Sequence, residues 1–291
     1  MKAFLVHLEQ LGRDAVESFI ADNALSRGAS IAYYSIFSIA PVLLVAVAMA
    51  GAIFGRDAAQ GAIVAELSGL MGRDTAKAIQ AMIESASNPR GSTLATVIGL
   101  AALFVTVTGV FSEIQSALNA IWKAESHAPL LSRLARARLA SLGLVATSGF
   151  LLTVSLAVSA ALASLSTWLK FLYPGADVVL HLVDIATSAV LIAGMFAAIY
   201  KVLPDTTVHW RDVAFGAVVT MLLFEAGKYV IALYIGQSKI ASSYGAAGAL
   251  IVLLVWIYYS AQIFLLGAEF THAFARRFGS QAAQRKRAEP T

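Results

Sequence analysis

The sequence predicts an all-α integral membrane protein with six transmembrane helices, and three observations lead there. Of its 291 residues, 59% are hydrophobic and 13% charged, where a soluble domain carries about 25% charge; mean hydropathy is +0.76. The apolar residues gather in several runs near the roughly 20 residues a helix needs to cross a bilayer, and the short alternating segments of a membrane barrel are absent. The 21 Lys and Arg fall on alternate sides of these runs, as membrane topology requires.

Residues 1–22 set Phe4, Leu5, Leu8, Leu11, Val16, Phe19 and Ile20 on one helical stripe, with His7, Glu9, Arg13, Asp14 and Glu17 largely opposite. Such an amphipathic helix either lies in the membrane interface or packs on the protein's own cytoplasmic face. Charges throughout Met1–Ile20 argue against a cleavable signal. The first span covers about 29–54, with a kink expected at Pro41 and a Gly51/Gly55 pair permitting close helix contact. Residues 57–88 read as two amphipathic helices outside the membrane, capping the bundle. Asp57 and Asp74 are placed as N-caps.

The second span covers about 93–121 and ends in a polar stretch that includes Glu113, Gln115 and Asn119, with Trp122 at the water boundary. The third, about 139–168, is rich in small and hydroxyl residues that serve helix packing. The fourth, about 178–202, carries His181 and Asp184 one turn apart, as a proton-sensitive pair or a wet hydrogen-bonded one. Pro204-Asp205 precedes the fifth span, about 213–235, and the sixth covers about 246–271. Residues 1–275 thus form a single domain, followed by a basic tail over 276–291, expected to be disordered beyond about Phe278.

With both termini in the cytoplasm, the inner segments hold fourteen of the cations: three before the first span, four in 123–138, two in 201–211 and five in the tail. The outer side holds Arg56, Arg73, Lys77, Arg90, Lys170 and Lys239, and Lys228 lies in the membrane. The positive-inside rule therefore places both termini inside.

Chemistry is narrowly bounded. With no cysteine, disulfides, thiolate metal sites and cysteine nucleophiles are excluded. His7, His127, His181, His209 and His272 lack metal-ligand spacing. No catalytic residue, metal or cofactor is assigned, and a net charge of +4 is too small to indicate a nucleic-acid partner.

The fifth span is the anomaly. Glu225 and Lys228 sit near its middle, where a Lys costs about 2.5–3.5 kcal/mol. The eleven Leu, Ile, Val and Phe of 213–235 return roughly 3–7 kcal/mol in total. At spacing i, i+3 the two charges can pair, and Ala214, Ala217, Met221 and Ala232 extend their face. On the sixth span Tyr258 or Tyr259, Gln262 and Glu269 follow at helical spacing. The short connection makes the two helices antiparallel neighbours, with Gln262 expected near the depth of the charge pair and Glu269 nearer the cytoplasm. The pair is either a binding site, with Lys228 offered to an anionic group, or a buried ion pair fixing helix register.

Several stretches resemble the YihY/virulence factor BrkB family of bacterial inner-membrane proteins. They are GASIAYYSIFSIAP from Gly28 to Pro41, ALNAIW from Ala117 to Trp122, and FEAGK from Phe224 to Lys228 with Tyr234. SYGAAGAL from Ser243 and LGAEF from Leu266 to Phe270 complete the set. The resemblance covers about residues 15–275. It implies six helices in the inner membrane, and links to serum resistance and to export of lipopolysaccharide precursors. It also brings an old ribonuclease label, against which the sequence argues: metal-assisted hydrolysis needs clustered His, Asp or Glu ligands, and the cytoplasmic segments have none.

The expected function is a transporter or flippase-like protein handling a lipid or other anionic, amphiphilic envelope molecule. Its candidate polar pathway comprises Glu225, Lys228, Gln262, Tyr258, Tyr259, Glu269, Tyr33, Tyr34, Glu113 and Asn119. The alternative is a non-transporting envelope scaffold or resistance protein working through residues 57–88 and the tail. Membrane lipids are the expected partners, with room for a homo-oligomer.

Overall fold

The computed structural model describes residues 2–71, 109–124, 176–237 and 246–282, with separate helical positions at 76, 77, 79–81, 83, 84, 153, 154, 157 and 158. These residues are helical apart from short turns, and no strand occurs among them. Nearly all of the expected third span, the first part of the second, the Asp74 cap, the His181–Asp184 pairing and residues 283–291 lie outside what is described.

Helix α1 (Lys2–Ala21) and helix α2 (Ala24–Phe54) meet at Asn23, which turns the chain with φ 55°. Asn accepts this left-handed conformation more readily than most residues. On α1, Leu11 and Ala15 are buried, one turn apart, against α6 (Ala246–Arg277), while Val16 and Ile20 remain exposed. The helix is therefore docked on the protein and still presents apolar side chains outward. Arg277 holds it further, through Asp14 at 3.5 Å and Gln10 at 3.0 Å.

α2 starts before the expected span and runs unbroken through Pro41. It ends at Gly55, where φ is 86°, a conformation glycine adopts without steric cost. Helix α3 (Arg56–Met71) begins at once. Asp57 is consequently inside the first turn, where its charge suits the helix dipole, and is not the N-cap the sequence suggested. Gly51 lies where an added Cβ would stand 3.1 Å from the Arg56 Cα. The Gly51/Gly55 pair thus serves this reversal, not the contact between spans.

Helix α4 (Ala176–Val202) and helix α5 (Trp210–Gln237) lie between α3 and α6 in the chain. Among the described residues, three helical stretches are long and apolar enough to cross a membrane: His181–Val202, Trp210–Ile231 and Gly248–Ala282. Val178, Val179, Leu182 and Val190 on α4, and Leu222, Val230 and Leu233 on α5, are exposed. Exposed aliphatic side chains on helices of this composition suit contact with lipid.

α6 is the hub, packing on α5, α2 and α1, while α4 packs on α5. Its crossing with α5 is built on two reciprocal notches. A Cβ on Gly216 would stand 1.7 Å from the Thr271 Oγ1, and one on Gly267 would stand 2.0 Å from the Thr220 Oγ1. Each threonine hydroxyl donates to the carbonyl of the glycine four residues earlier on its own helix, both at 2.7 Å. Small residues that let backbones approach are the main cohesive device between helices in lipid. The Tyr200 hydroxyl of α4 donates to the Phe264 carbonyl at 2.7 Å and lies 3.1 Å from the Thr220 hydroxyl, tying three helices together.

Among the described residues, two buried clusters fill the bundle. One joins Ala24, Leu118, Trp122, Tyr200, Val213 and Leu265 at the α1 end. The other joins Leu43, Val47, Ile231, Leu253 and Trp256 to Ile63, Ile79 and Ile83. Three isoleucines of the segment 57–88 thus belong to the same core as the long helices.

Candidate functional site

The Glu225–Lys228 pair forms, with Lys228 Nζ 2.8 Å from Glu225 Oε1. The side chains retain 24% and 33% exposure for Lys228 and Glu225 respectively, so the pair is closed yet reachable. Between them Gly227 faces α6, where an added Cβ would stand 2.4 Å from Ile263 Cδ1 and 3.0 Å from Tyr259 Cε1. Glycine here lets α6 approach, and that approach brings the Tyr259 ring beside the charged turn.

Gln262 does not share this site. Its amide faces α2, where it fills the notch at Gly28: an added Cβ would stand 2.0 Å from Nε2. Nε2 approaches the Leu25 carbonyl at 3.5 Å. The expected meeting of polar stripes therefore resolves into two separate contacts on adjoining faces of α6. Tyr258 is half-buried. Tyr33 and Tyr34 are exposed, with Tyr33 edge-on to Tyr34 and Phe37, and Tyr34 against Gly109. Glu113 is half-buried.

Asn119 has a structural partner. Its Nδ2 donates to Asp205 Oδ2 at 2.8 Å, and its Oδ1 accepts from the Asp205 backbone N–H at 2.8 Å. Gln115, one turn earlier, donates to Asp205 Oδ1 and to the Leu203 carbonyl. Gln115 and Asn119, one turn apart on the same helical face, thus grip the turn after α4.

Glu269 lies in a constellation that the sequence gave no reason to assemble. The residue is 1% exposed, and among the described residues no donor reaches either carboxyl oxygen. The charged groups that bear on it are Asp22, from the α1–α2 turn, and Lys123, from the end of the helical segment 109–121. Those two form an ion pair at 2.5 Å, in which Asp22 keeps 13% exposure and Lys123 64%. The backbone of Lys123 is left-handed, φ 50°. The Ala124 N–H bonds back to the Asn119 carbonyl at 2.9 Å, a helix end at which glycine is the usual residue. Arg27 Nε donates to the Asp22 carbonyl at 3.0 Å. Buried beside Glu269 on α6, His272 holds its ring 5.1 Å from that of Trp122.

Asp22, Lys123 and His272 were missed for identifiable reasons. Lys123 counts among the cytoplasmic cations of 123–138, Asp22 falls at the end of the 1–22 helix outside its polar stripe, and His272 lacks metal-ligand spacing. A buried acid at Glu269 demands a partner, and that demand was the one signal pointing to them.

Part of the expected tail, residues 276–282, is described and docks on the bundle. Asp212, buried at the start of α5, accepts at one oxygen from the Ser280 hydroxyl at 2.6 Å and the Ser280 N–H at 3.3 Å. The chain is thus ordered past Phe278.

The family model for virulence factor BrkB matches residues 15–291, which takes in the basic tail that the resemblance had left out. A UPF0761 membrane protein of Ralstonia nicotianae is 32% identical over 265 residues, 90% of this chain and 58% of its own. The UPF0761 membrane protein YihY of Salmonella typhimurium is 36% identical over 197 residues, 67% of this chain and 64% of its own. One from Verminephrobacter eiseniae is 34% identical over 261 residues, 88% of this chain and 60% of its own. The chain thus spans about three fifths of the length of these curated relatives. No solved structure matches it.

Proposed function

The chain belongs to the virulence factor BrkB family of membrane proteins, and on that premise we propose that it binds an anionic amphiphile in the bacterial inner membrane and moves it between leaflets. The observation that carries the reading is the Glu225–Lys228 pair, closed at 2.8 Å but still partly exposed on a helix apolar enough to cross the membrane. A Lys deep in a span costs about 2.5–3.5 kcal/mol, and intramembrane charges commonly mark substrate routes. Glu225 neutralises Lys228 at rest, and an incoming phosphate or carboxylate headgroup competes for the same ammonium. The apolar tail then stays in lipid against the exposed aliphatic side chains of α5.

The reading includes six spans with both termini cytoplasmic. Because the chain has no cysteine, single introduced cysteines report sidedness without background: labels confined to the outside should reach position 60 and not position 10.

The direct test is exchange of a fluorescent anionic phospholipid in vesicles carrying the purified protein. Wild type should accelerate it over empty vesicles, and Lys228→Met should return it to the empty-vesicle rate while Glu225→Gln does not. Equal rates in all four preparations would remove the transport reading. On this reading the protein is a carrier and not an enzyme. Cleavage of RNA by the pure protein, lost on mutation of any of its acidic residues, would overturn that part.

A further inference from the structure

We propose that Arg211, at the start of α5, binds the phosphate of an anionic phospholipid whose acyl chain lies along Phe215, Val218 and Leu222. The site rests on α5 being a lipid-facing span, as the carrier reading does, but neither on transport nor on Lys228.

The stripe carries its groups in the order a phospholipid does. Phe215, Val218 and Leu222 follow Arg211 at i+4, i+7 and i+11, which is one face of a helix, and all four are exposed. At 1.5 Å per residue, Arg211 and Leu222 stand about 17 Å apart along the axis. Half of a bilayer's hydrocarbon core is roughly 15 Å. A cation at headgroup depth is thus followed by apolar contacts over the depth of one leaflet. Trp210, 63% exposed and adjacent to Arg211, marks the same level, since Trp gathers at the membrane–water boundary.

Arg211 is also unspent. Asp212, next in the chain, is buried and accepts from the Ser280 hydroxyl at 2.6 Å, so its charge is committed elsewhere. Among the described residues no ion pair or hydrogen bond engages the Arg211 guanidinium. Lys201 of α4 adds a second positive charge nearby: its ammonium donates to the Val208 carbonyl and lies 5.6 Å from the centre of the Trp210 ring. On the α6 side, Phe215 stacks on Phe274 at 4.2 Å, and Phe274 meets the exposed Phe278 at 6.2 Å. A wall of rings therefore borders the stripe. Guanidinium matches phosphate by paired hydrogen bonds, and cations at a membrane surface draw anionic lipids. Free phosphate could use Arg211 alone but would leave Phe215, Val218 and Leu222 uncovered, which is why the occupant is a lipid.

Fluorescence quenching by brominated lipids tests this on the full chain in phosphatidylcholine vesicles. The Trp210 signal is the difference between the protein and its Trp210→Phe variant. At equal mole fraction, phosphatidylglycerol brominated near the ester end of its chains should quench that signal about threefold more than phosphatidylcholine brominated alike, as local enrichment of anionic lipid requires. Arg211→Gln should bring the two lipids level, and Arg211→Lys should keep part of the preference. Equal quenching by both lipids in the wild type, or a preference that Arg211→Gln leaves whole, overturns the proposal. Loss of the preference on adding inorganic phosphate at constant ionic strength would overturn the commitment to a lipid. The readout is contact and not exchange, so a protein that keeps the preference but moves no lipid loses the carrier reading and retains this site.

Discussion

Thr220 on α5 presses into Gly267 on α6 so closely that no side chain larger than hydrogen fits at position 267 while the threonine keeps its rotamer. Gly216 and Thr271 repeat the arrangement a turn away. Gly267→Ala should therefore lower stability by about 1–3 kcal/mol through overpacking. Adding Thr220→Ala should restore much of that loss, since contacting residues couple strongly in a double-mutant cycle. Thermal unfolding of the purified variants measures both; an additive double mutant would mean the two residues do not share the notch.

Lys123 sets two effects against each other. Its left-handed backbone costs about 1–2 kcal/mol, which glycine avoids, whereas its ammonium holds Asp22. Lys123→Gly should thus be less destabilising than Lys123→Met, although both lose the ion pair. If the two variants unfold at the same temperature, the backbone strain contributes nothing.

Docking of α1 separates packing from charge. Leu11→Ala should cost about 2–5 kcal/mol in the local contact and expose the N-terminal helix to protease. Arg277→Ala should cost about 0–1 kcal/mol, since its partners sit at a partly exposed surface. Faster proteolysis in Arg277→Ala than in Leu11→Ala would reverse the assignment.

The Asn119–Asp205 exchange fastens segment 109–124 to the turn after α4. Asn119→Ala removes a donor and an acceptor at once and should cost about 1–3 kcal/mol, because the Asp205 groups are left unpaired. Cleavage near Pro204 by an added protease should speed up accordingly. Unchanged cleavage would show that Gln115 alone suffices.

Much of this architecture was legible in the sequence because it follows from length and apolarity: the long helices of 178–202, 213–235 and 246–271 all appear, extended at their ends. The Glu225–Lys228 pair was legible too, since both partners sit on one turn of one helix. What sequence spacing does not carry is the angle at which helices meet. Gln262 and the charge pair lie on the expected helices, yet Gln262 turns to Gly28 of α2. The Asp22–Lys123 ion pair joins residues far apart in the chain, and Lys123 is held by a backbone conformation with no periodic signature. Asp57 shows a smaller version: the cap position falls two residues earlier, at Gly55, because the glycine makes the turn tighter.

Ile63, Ile79 and Ile83 are shared with the core of the long helices, so aliphatic side chains stopper that end of the described bundle. For the proposed carrier this argues against an axial route: an amphiphile leaving along the axis would have to uncork the isoleucines, whereas a sideways route into the leaflet would leave them in place.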